Sequence, residues 1–231
     1  IVIPTQNRPE LMARAIHYAL AQSYGDIELI VSDNSTTDEY KEKNKLEMEA
    51  YAQDDRLLFT GPPTILSAPE HFEFTLHHVT GDYVLYLTDK MMLLPDTLVR
   101  AENAIRETGA EIVNWLDIPV PIDDFNKTAT SNTLNGFSSI NNASFHRYDP
   151  IGELKIKASG FIPRTQNQSQ ESYVTGKICF GCYSSDLIAR IKKYSGSLFG
   201  GVTHDYSAMV QGLCVSKGCV VLDSPGIIFV S

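Results

Sequence analysis

The stretch that decides the fold is residues 1–38, IVIPTQNRPELMARAIHYALAQSYGDIELIVSDNSTTD. Three apolar residues, Ile1-Val2-Ile3, run into a Pro/Asn/Arg turn. Glu10–Gln22 then places Leu11, Ala15, Ile16, Ala19 and Leu20 on one helical face. A near-continuous apolar run, Ile27–Val31, follows and stops abruptly in Ser32-Asp33-Asn34-Ser35-Thr36. An unbroken apolar strand is what a parallel sheet covered on both faces requires. In an open α/β sheet, ligands collect beyond the carboxyl ends of the strands. Pro4-Thr5-Gln6-Asn7-Arg8 and the Asp33 cluster both fall at that edge, which is the pattern of a sheet-edge nucleotide site.

Working outward, Asp38–Gln53 is charged and reads as a surface helix, and Leu57–Phe59 reads as a short strand. Gly61-Pro62-Pro63 punctuates the chain. Glu70–His78 has a helical pattern, Tyr83–Leu87 is a strand, Pro95–Thr108 is a helix with Pro95 at or near its first turn, and Glu111–Leu116 is the next strand. This alternation predicts right-handed βαβ units and one mainly parallel sheet flanked by helices. Residues 117–175 are rich in Asn, Ser, Thr, Pro and Asp with weak periodicity, so a functional loop region is expected there. Periodicity returns with a strand at Ile178–Tyr183, helices at Ser185–Lys193 and Asp205–Leu213, and strands at Cys219–Leu222 and Ile227–Val230. The expected layout is a Rossmann-like, nucleotide-binding front half, residues 1–116, and a more variable acceptor-side back half, residues 117–231, sharing one α/β sheet.

Composition narrows the function classes. A chain of 231 residues with 43% hydrophobic content can bury one large core or two joined halves. A net charge of −9 without a basic cluster argues against nucleic acid or an anionic membrane as the main partner. No run approaches the roughly 18 apolar residues of a transmembrane segment. The chain opens on a core strand without a methionine, so a few native residues are expected to precede it. Four cysteines in a chain of this length do not make a disulfide scaffold. The expectation is a cytoplasmic protein, with the inner face of the membrane as an allowed location.

Four segments, in order, resemble the family-2 glycosyltransferases of the GT-A type. They are Ile1-Val2-Ile3-Pro4-Thr5-Gln6-Asn7-Arg8, Glu28–Asp38, Gly81-Asp82-Tyr83-Val84-Leu85-Tyr86-Leu87-Thr88-Asp89 with Leu94-Pro95-Asp96, and the weaker Thr203-His204-Asp205-Tyr206. The first three cover about the first hundred residues and are specific in combination, while the back half matches loosely. The resemblance implies a GT-A fold and inverting transfer of one sugar from a nucleotide diphosphate donor, with UDP the expected nucleotide. A hydroxyl of a glycan, lipid-linked or related acceptor would receive it. No Q-x-x-R-W segment occurs, so the processive form of the family is not expected.

The resemblance also implies roles for particular residues. Asp33 would accept hydrogen bonds from a uracil ring or ribose hydroxyl. Read locally, the same residue can instead close an Asx turn or cap a helix, the role that suits Asp38 better. Thr5 and Arg8 belong to the first turn, and Arg8 either contacts base or phosphate or is a solvated charge at a helix start. At Leu87-Thr88-Asp89-Lys90 the chain departs from the family. The family carries an acidic pair there, whose first carboxylate touches ribose and whose last binds the Mg²⁺ or Mn²⁺ that bridges the phosphates. Asp89 matches the first, but Lys90 stands in place of the metal ligand, and an ammonium supplies no oxygen. Lys90 as a fixed positive charge, Asp89 still holding the metal, and a degenerate site all remain open, beside an ordinary solvated ion pair.

Asp205 matches the family's catalytic base, a carboxylate that takes the proton of the attacking hydroxyl. It also suits a plain helix N-terminus. His204 replaces the usual glutamate and reads as a polar surface residue. Cys179 and Cys182 have C-x-x-C spacing, with Cys214 and Cys219 a looser pair, and buried structural thiols are expected rather than zinc. His77-His78 read as structural, and the triplets at Asn126, Asn142 and Asn167 as products of polar composition. A rival reading is a non-catalytic nucleotide-sugar or glycan-binding module that kept the GT-A fold and lost its metal site. A nucleotidyltransferase would need a glycine-rich first loop, and Thr5–Pro9 contains no glycine.

Overall fold

The short apolar runs become strands because each is too brief for a stable helix and is bounded by turn residues. In chain order the elements are β1 (Val2–Thr5), α1 (Pro9–Leu20), β2 (Leu29–Asp33), α2 (Asp38–Glu49), β3 (Leu57–Thr60), α3 (Ala68–Thr75), β4 (Tyr83–Leu85), β5 (Met91–Leu93), α4 (Thr97–Thr108) and β6 (Ile112–Val120). They continue with β7 (Phe145–Tyr148), α5 (Pro150–Ser159), α6 (Gln170–Val174), β8 (Gly181–Ser184), α7 (Ser185–Ser195), α8 (His204–Val215) and β9 (Cys219–Val230). The computed structural model describes residues 1–121, 144–159, 170–201 and 203–230. The asparagines at 126, 142 and 167 lie outside the described residues.

Strands β1, β2 and β3 form a parallel sheet, with Val2 opposite Ile30 and Thr5 opposite Asp33. Leu29, Ile30, Val31 and Ser32 are all buried, so both faces of β2 are covered, as its unbroken apolar run predicts. Helix α1 buries Met12, Ala15, Ile16 and Ala19, an i, i+3, i+4, i+7 stripe. The stripe is centred one residue from the expected one: Met12 is its large member, and Leu11 and Leu20 are only partly covered.

A parallel bridge from Val2 to Tyr86, with the Leu87 amide donating to the Val2 carbonyl at 2.8 Å, joins this sheet to the next. The second sheet runs β4-β8-β6-β9-β5, with β7 added on β9. The α/β architecture stands, and parallel pairing holds throughout the front sheet. In the second sheet only β6 and β9 are parallel, while β4–β8, β6–β8, β5–β9 and β7–β9 are antiparallel. Strict strand–helix alternation lapses there: β4 and β5 follow each other with only a tight turn between them, so the rule for parallel crossovers no longer applies.

Several boundaries also differ from expectation. Pro95 precedes the Asp96 N-cap of α4 instead of entering its first turn. Residues 178–180 form a 3-10 turn ahead of β8, and the two expected C-terminal strands are one strand of 12 residues with a shift in register near Pro225. Region 117–175 holds the end of β6 together with β7, α5 and α6. Beyond Asn114, β6 has no β8 partner, which is why an open side of that strand tolerates Pro119. Among the described residues a main apolar core, from Val2 through Trp115 to Ile227, runs under both halves, with a smaller cluster of Met92, Leu94, Ile228 and Val230 beside it.

Candidate active site

The two polar turns interlock at the carboxyl edge of the front sheet. Asn7 carries φ 58, a left-handed backbone that asparagine accepts more readily than most residues. That conformation presents its amide to Ser35 Oγ at 2.9 Å, while its Oδ1 accepts the Thr36 amide at 2.9 Å. Gln6 Nε2 donates to the Asn34 carbonyl at 3.0 Å, and the Asn34 amide donates to the Thr5 carbonyl at 3.0 Å. Asn34 in turn exchanges two hydrogen bonds with the backbone of Leu66, at 2.8 and 3.0 Å. Gly61 permits this approach, since a Cβ there would stand 2.6 Å from the Asp33 carbonyl oxygen. Within this scaffold Asp33 is half-buried at the end of β2, and its Oδ1 accepts the Ser35 amide at 2.8 Å. The Asx turn is therefore formed, and the second carboxylate oxygen accepts no hydrogen bond among the described residues.

Asp89 brings the first turn and the end of the β4 segment together. It is 3% exposed, and accepts Thr5 Oγ1 at 3.1 Å on one oxygen and an Arg8 guanidinium nitrogen at 3.0 Å on the other. Burial raises its pKa, and the Arg8 guanidinium, the Thr5 hydroxyl and the Lys90 charge oppose that shift without cancelling it. The Arg8 side chain is half exposed, so one face of this ion pair is open to a ligand. Lys90 is half-buried, its carbonyl accepts the Val230 amide at 2.9 Å, and its ammonium makes no ion pair among the described residues.

Asp205 lies in the first turn of α8, half-buried, and its carboxylate accepts no hydrogen bond among the described residues. Among the described residues no hydrogen bond or ion pair joins it to the Thr5–Arg8–Asp89 group. The two are connected through α3: the Phe72 ring stacks on Tyr86, centroids 5.2 Å apart, and lies 4.1 Å from the His204 ring. Phe199 meets Phe72 and Tyr86 edge-on at 5.3 and 4.7 Å. His204 is therefore not the surface residue expected: it is partly buried against Phe72, and that burial lowers its pKa. The buried Lys177 sits with its ammonium 3.5 Å from the Tyr173 ring centroid and 4.8 Å from that of Tyr206, the residue after Asp205.

The family model for glycosyl transferase family 2 matches residues 1–156 of the chain. The chain belongs to that family. No curated protein matches it. Solved structures that this family 2 chain resembles include Staphylococcus aureus TarS 1–349 in complex with UDP-GlcNAc, at TM-score 0.70 and 14% identity, covering 100% of this chain and 57% of that one. Another is the mannosyltransferase PcManGT from Pyrobaculum calidifontis in complex with GDP-Man and Mn2+, at TM-score 0.61 and 17% identity, covering 100% and 55%. Identity this low shows a shared GT-A fold. The chain spans less than two thirds of the length of these structures.

Among the described residues of this family 2 chain, no helix is long and apolar enough to cross a membrane. Cys179 and Cys182 are buried free thiols whose pKa values burial pushes up to about 12, which suits structural packing. Cys214, expected to be buried, is exposed. Sequence reasoning places Asn7 in the first turn without a role of its own, and does not single out His71 and Phe72 as parts of the candidate site. Asn7 carried a usable signal, an asparagine in a turn directly after a strand. Phe72 reads only as part of the helical pattern at Glu70–His78, and nothing in the sequence links it to His204, 132 positions away by subtraction of their numbers.

Proposed function

We propose that the protein moves a single sugar from a nucleotide diphosphate donor, with UDP as the nucleotide, to a hydroxyl of a glycan or lipid-linked acceptor, with inversion. The observation that carries this reading is the buried Asp89 carboxylate, held by Thr5 and by a half-exposed Arg8 at the edge where β1 and the β4 segment meet. A fixed acceptor of this kind suits a ribose hydroxyl, and the free oxygen of Asp33 suits the base or ribose. The acceptor oxygen bonds the anomeric carbon as its proton passes to Asp205, and the carbon–oxygen bond to the diphosphate breaks with its electron pair leaving on the diphosphate. Among the described residues no hydrogen bond or ion pair occupies this carboxylate in the first turn of α8, which suits it to take that proton.

The family's Mg²⁺ or Mn²⁺ would need several oxygen ligands. Asp89 already accepts two donors, and an ammonium occupies the next position, so this donor set does not fit a hard divalent ion. Arg8 and Lys90 are then the charges available to offset the leaving diphosphate. Titrating UDP by calorimetry with and without EDTA tests this reading. Binding should survive EDTA, Lys90→Ala should weaken it, and Lys90→Asp should make it respond to Mn²⁺. Loss of wild-type binding in EDTA together with a neutral Lys90→Ala would return the metal to Asp89. UDP binding without any transfer to an acceptor would favour a binding module.

A further inference from the structure

Three consecutive residues of α3 reach three different parts of the site. His71 is buried, with Nε2 2.8 Å from the hydroxyl of Ser32, the residue before Asp33, and burial lowers its pKa to about 4, so it is neutral at ordinary pH. Phe72 carries the ring contacts to Tyr86 and His204, and its carbonyl accepts the Tyr86 hydroxyl at 2.9 Å. Glu73 Oε2 accepts the backbone amides of Leu198 and Phe199, at 3.0 and 3.1 Å, and its other oxygen pairs with Lys192 at 2.7 Å. Successive helical side chains point about 100° apart, so one turn can serve a strand end, an aromatic cluster and a loop at once.

The loop that Glu73 holds is the one leading into α8. Its other side is held by Gln211, whose Nε2 donates to the Leu198 carbonyl at 2.9 Å. Gly200 and Gly201 follow, the latter at φ 71, then Thr203, which caps α8 without a side-chain hydrogen bond. Among the described residues the fixed points of the approach to Asp205 are Glu73 and Gln211 at Leu198 and Phe199, the Gly200 amide donating to Ser207 Oγ at 3.2 Å, and Phe72 against His204.

We propose that α3 is the positioning element of the transfer site: His71 fixes the nucleoside end at Ser32-Asp33, while Phe72 and Glu73 fix the start of α8 and hence Asp205. This rests on the transfer reading above. Misplacing a reacting group by about 1 Å can cost on the order of a hundredfold in rate, so the two ends of α3 should fail in different ways. The experiment measures UDP affinity by calorimetry, donor turnover as UDP release with the acceptor present, and melting temperature, for wild type, His71→Leu, Glu73→Ala and Glu73→Gln. His71→Leu should weaken UDP about tenfold. Glu73→Ala should lower kcat at least about tenfold with UDP affinity unchanged, and Glu73→Gln, which keeps an acceptor for the two amides, should recover part of that loss. Faster hydrogen exchange at Leu198 and Phe199 in Glu73→Ala should accompany the loss of turnover. If the wild type neither binds UDP nor turns over, the transfer reading falls and this inference with it. An active wild type in which both variants move the same parameter in parallel, or neither moves any, overturns the role of α3 alone.

Discussion

Helix α1 at the front of the molecule and helices α5 and α6 at the back are attached by different forces. Four side chains of α1 are buried against β1, β2 and the core, whereas none of the ten residues of α5 is buried. Helix α6 puts Val174, its last residue, into the core, and its first turn is held by an ion cluster, in which His146 of β7 lies 2.8 Å from Glu171 of α6 and 2.7 Å from Asp223 of β9. Apolar burial of one Met or Ile side chain is worth roughly 1.5–3 kcal/mol and is indifferent to pH, while an exposed ion pair contributes about 1 kcal/mol at most and titrates. The front helix is thus held by burial that does not titrate, and the attachment of the back helices is partly ionic and pH-dependent. The sharpest way to separate front from back is catalytic. Asp205→Asn should leave UDP affinity intact and lower turnover by about 10²–10⁴-fold, a loss confined to the transition state. Near wild-type transfer would move the base elsewhere and dissolve the division into a binding end and a reacting end.

Stability offers the next contrast. Ile30→Ala removes a fully packed side chain from the middle strand of the front sheet and should cost about 2–5 kcal/mol in urea unfolding. Ile156→Ala, on α5 at 54% exposure, should change stability by about 0.5 kcal/mol or less. Comparable losses would mean that α5 is as much part of the core as β2.

The same contrast explains what could be read from the chain. Ile27–Val31 announced a covered parallel strand because its pattern is local, and Asp33 and Asp89 were legible because a carboxylate ending an apolar run is a local signal too. Thr5, Arg8 and Asp89 do come together as one group. Antiparallel β8 was hidden, since its Gly181–Ser184 pairs with β4 and β6 across long sequence separations and nothing in four residues encodes that choice. The same holds for Phe72 against His204 and for His146 between Glu171 and Asp223, whose partnerships exist only once the helices have packed.

A smaller effect tests the binding end. Asp33→Ala should weaken UDP by roughly 1–3 kcal/mol, the cost of a lost hydrogen bond to a buried partner. Because Asp33 also closes its own turn through the Ser35 amide, Asp33→Asn is the necessary companion: it keeps an acceptor for that amide. Equal UDP affinity across wild type and both variants would take Asp33 out of the site and leave it a turn residue.

The smallest effect lies in the His146 cluster, and its sign follows from the chemistry of imidazole. Only the protonated ring can donate from both nitrogens, and both nitrogens face carboxylates. The hydrogen bond to Glu171 raises the His146 pKa above its ordinary 6.5, against the opposing effect of burial and with further help from Asp223. Burial alone would raise Asp223, yet its hydrogen bonds to Ser144 and His146 prevail and hold it below its ordinary 3.8. A raised histidine contributes stability that is fully present below pH 6.5 and is lost as pH rises through the folded value. The lowered Asp223 contributes above pH 3.8 and fails only as pH falls through its own folded value. The clasp is therefore at full strength between those limits and loosens on the alkaline side. With His146, Glu171 and Asp223 side chains 46%, 41% and 40% exposed, solvent screening keeps the effect to about 1 kcal/mol or less. Amide exchange should detect it where global unfolding does not: after correction for intrinsic rates, α6 should open more at pH 8 than at pH 6, β2 should not, and His146→Gln should abolish the difference. A pH response of α6 that survives in His146→Gln would show that something other than this imidazole holds the helix.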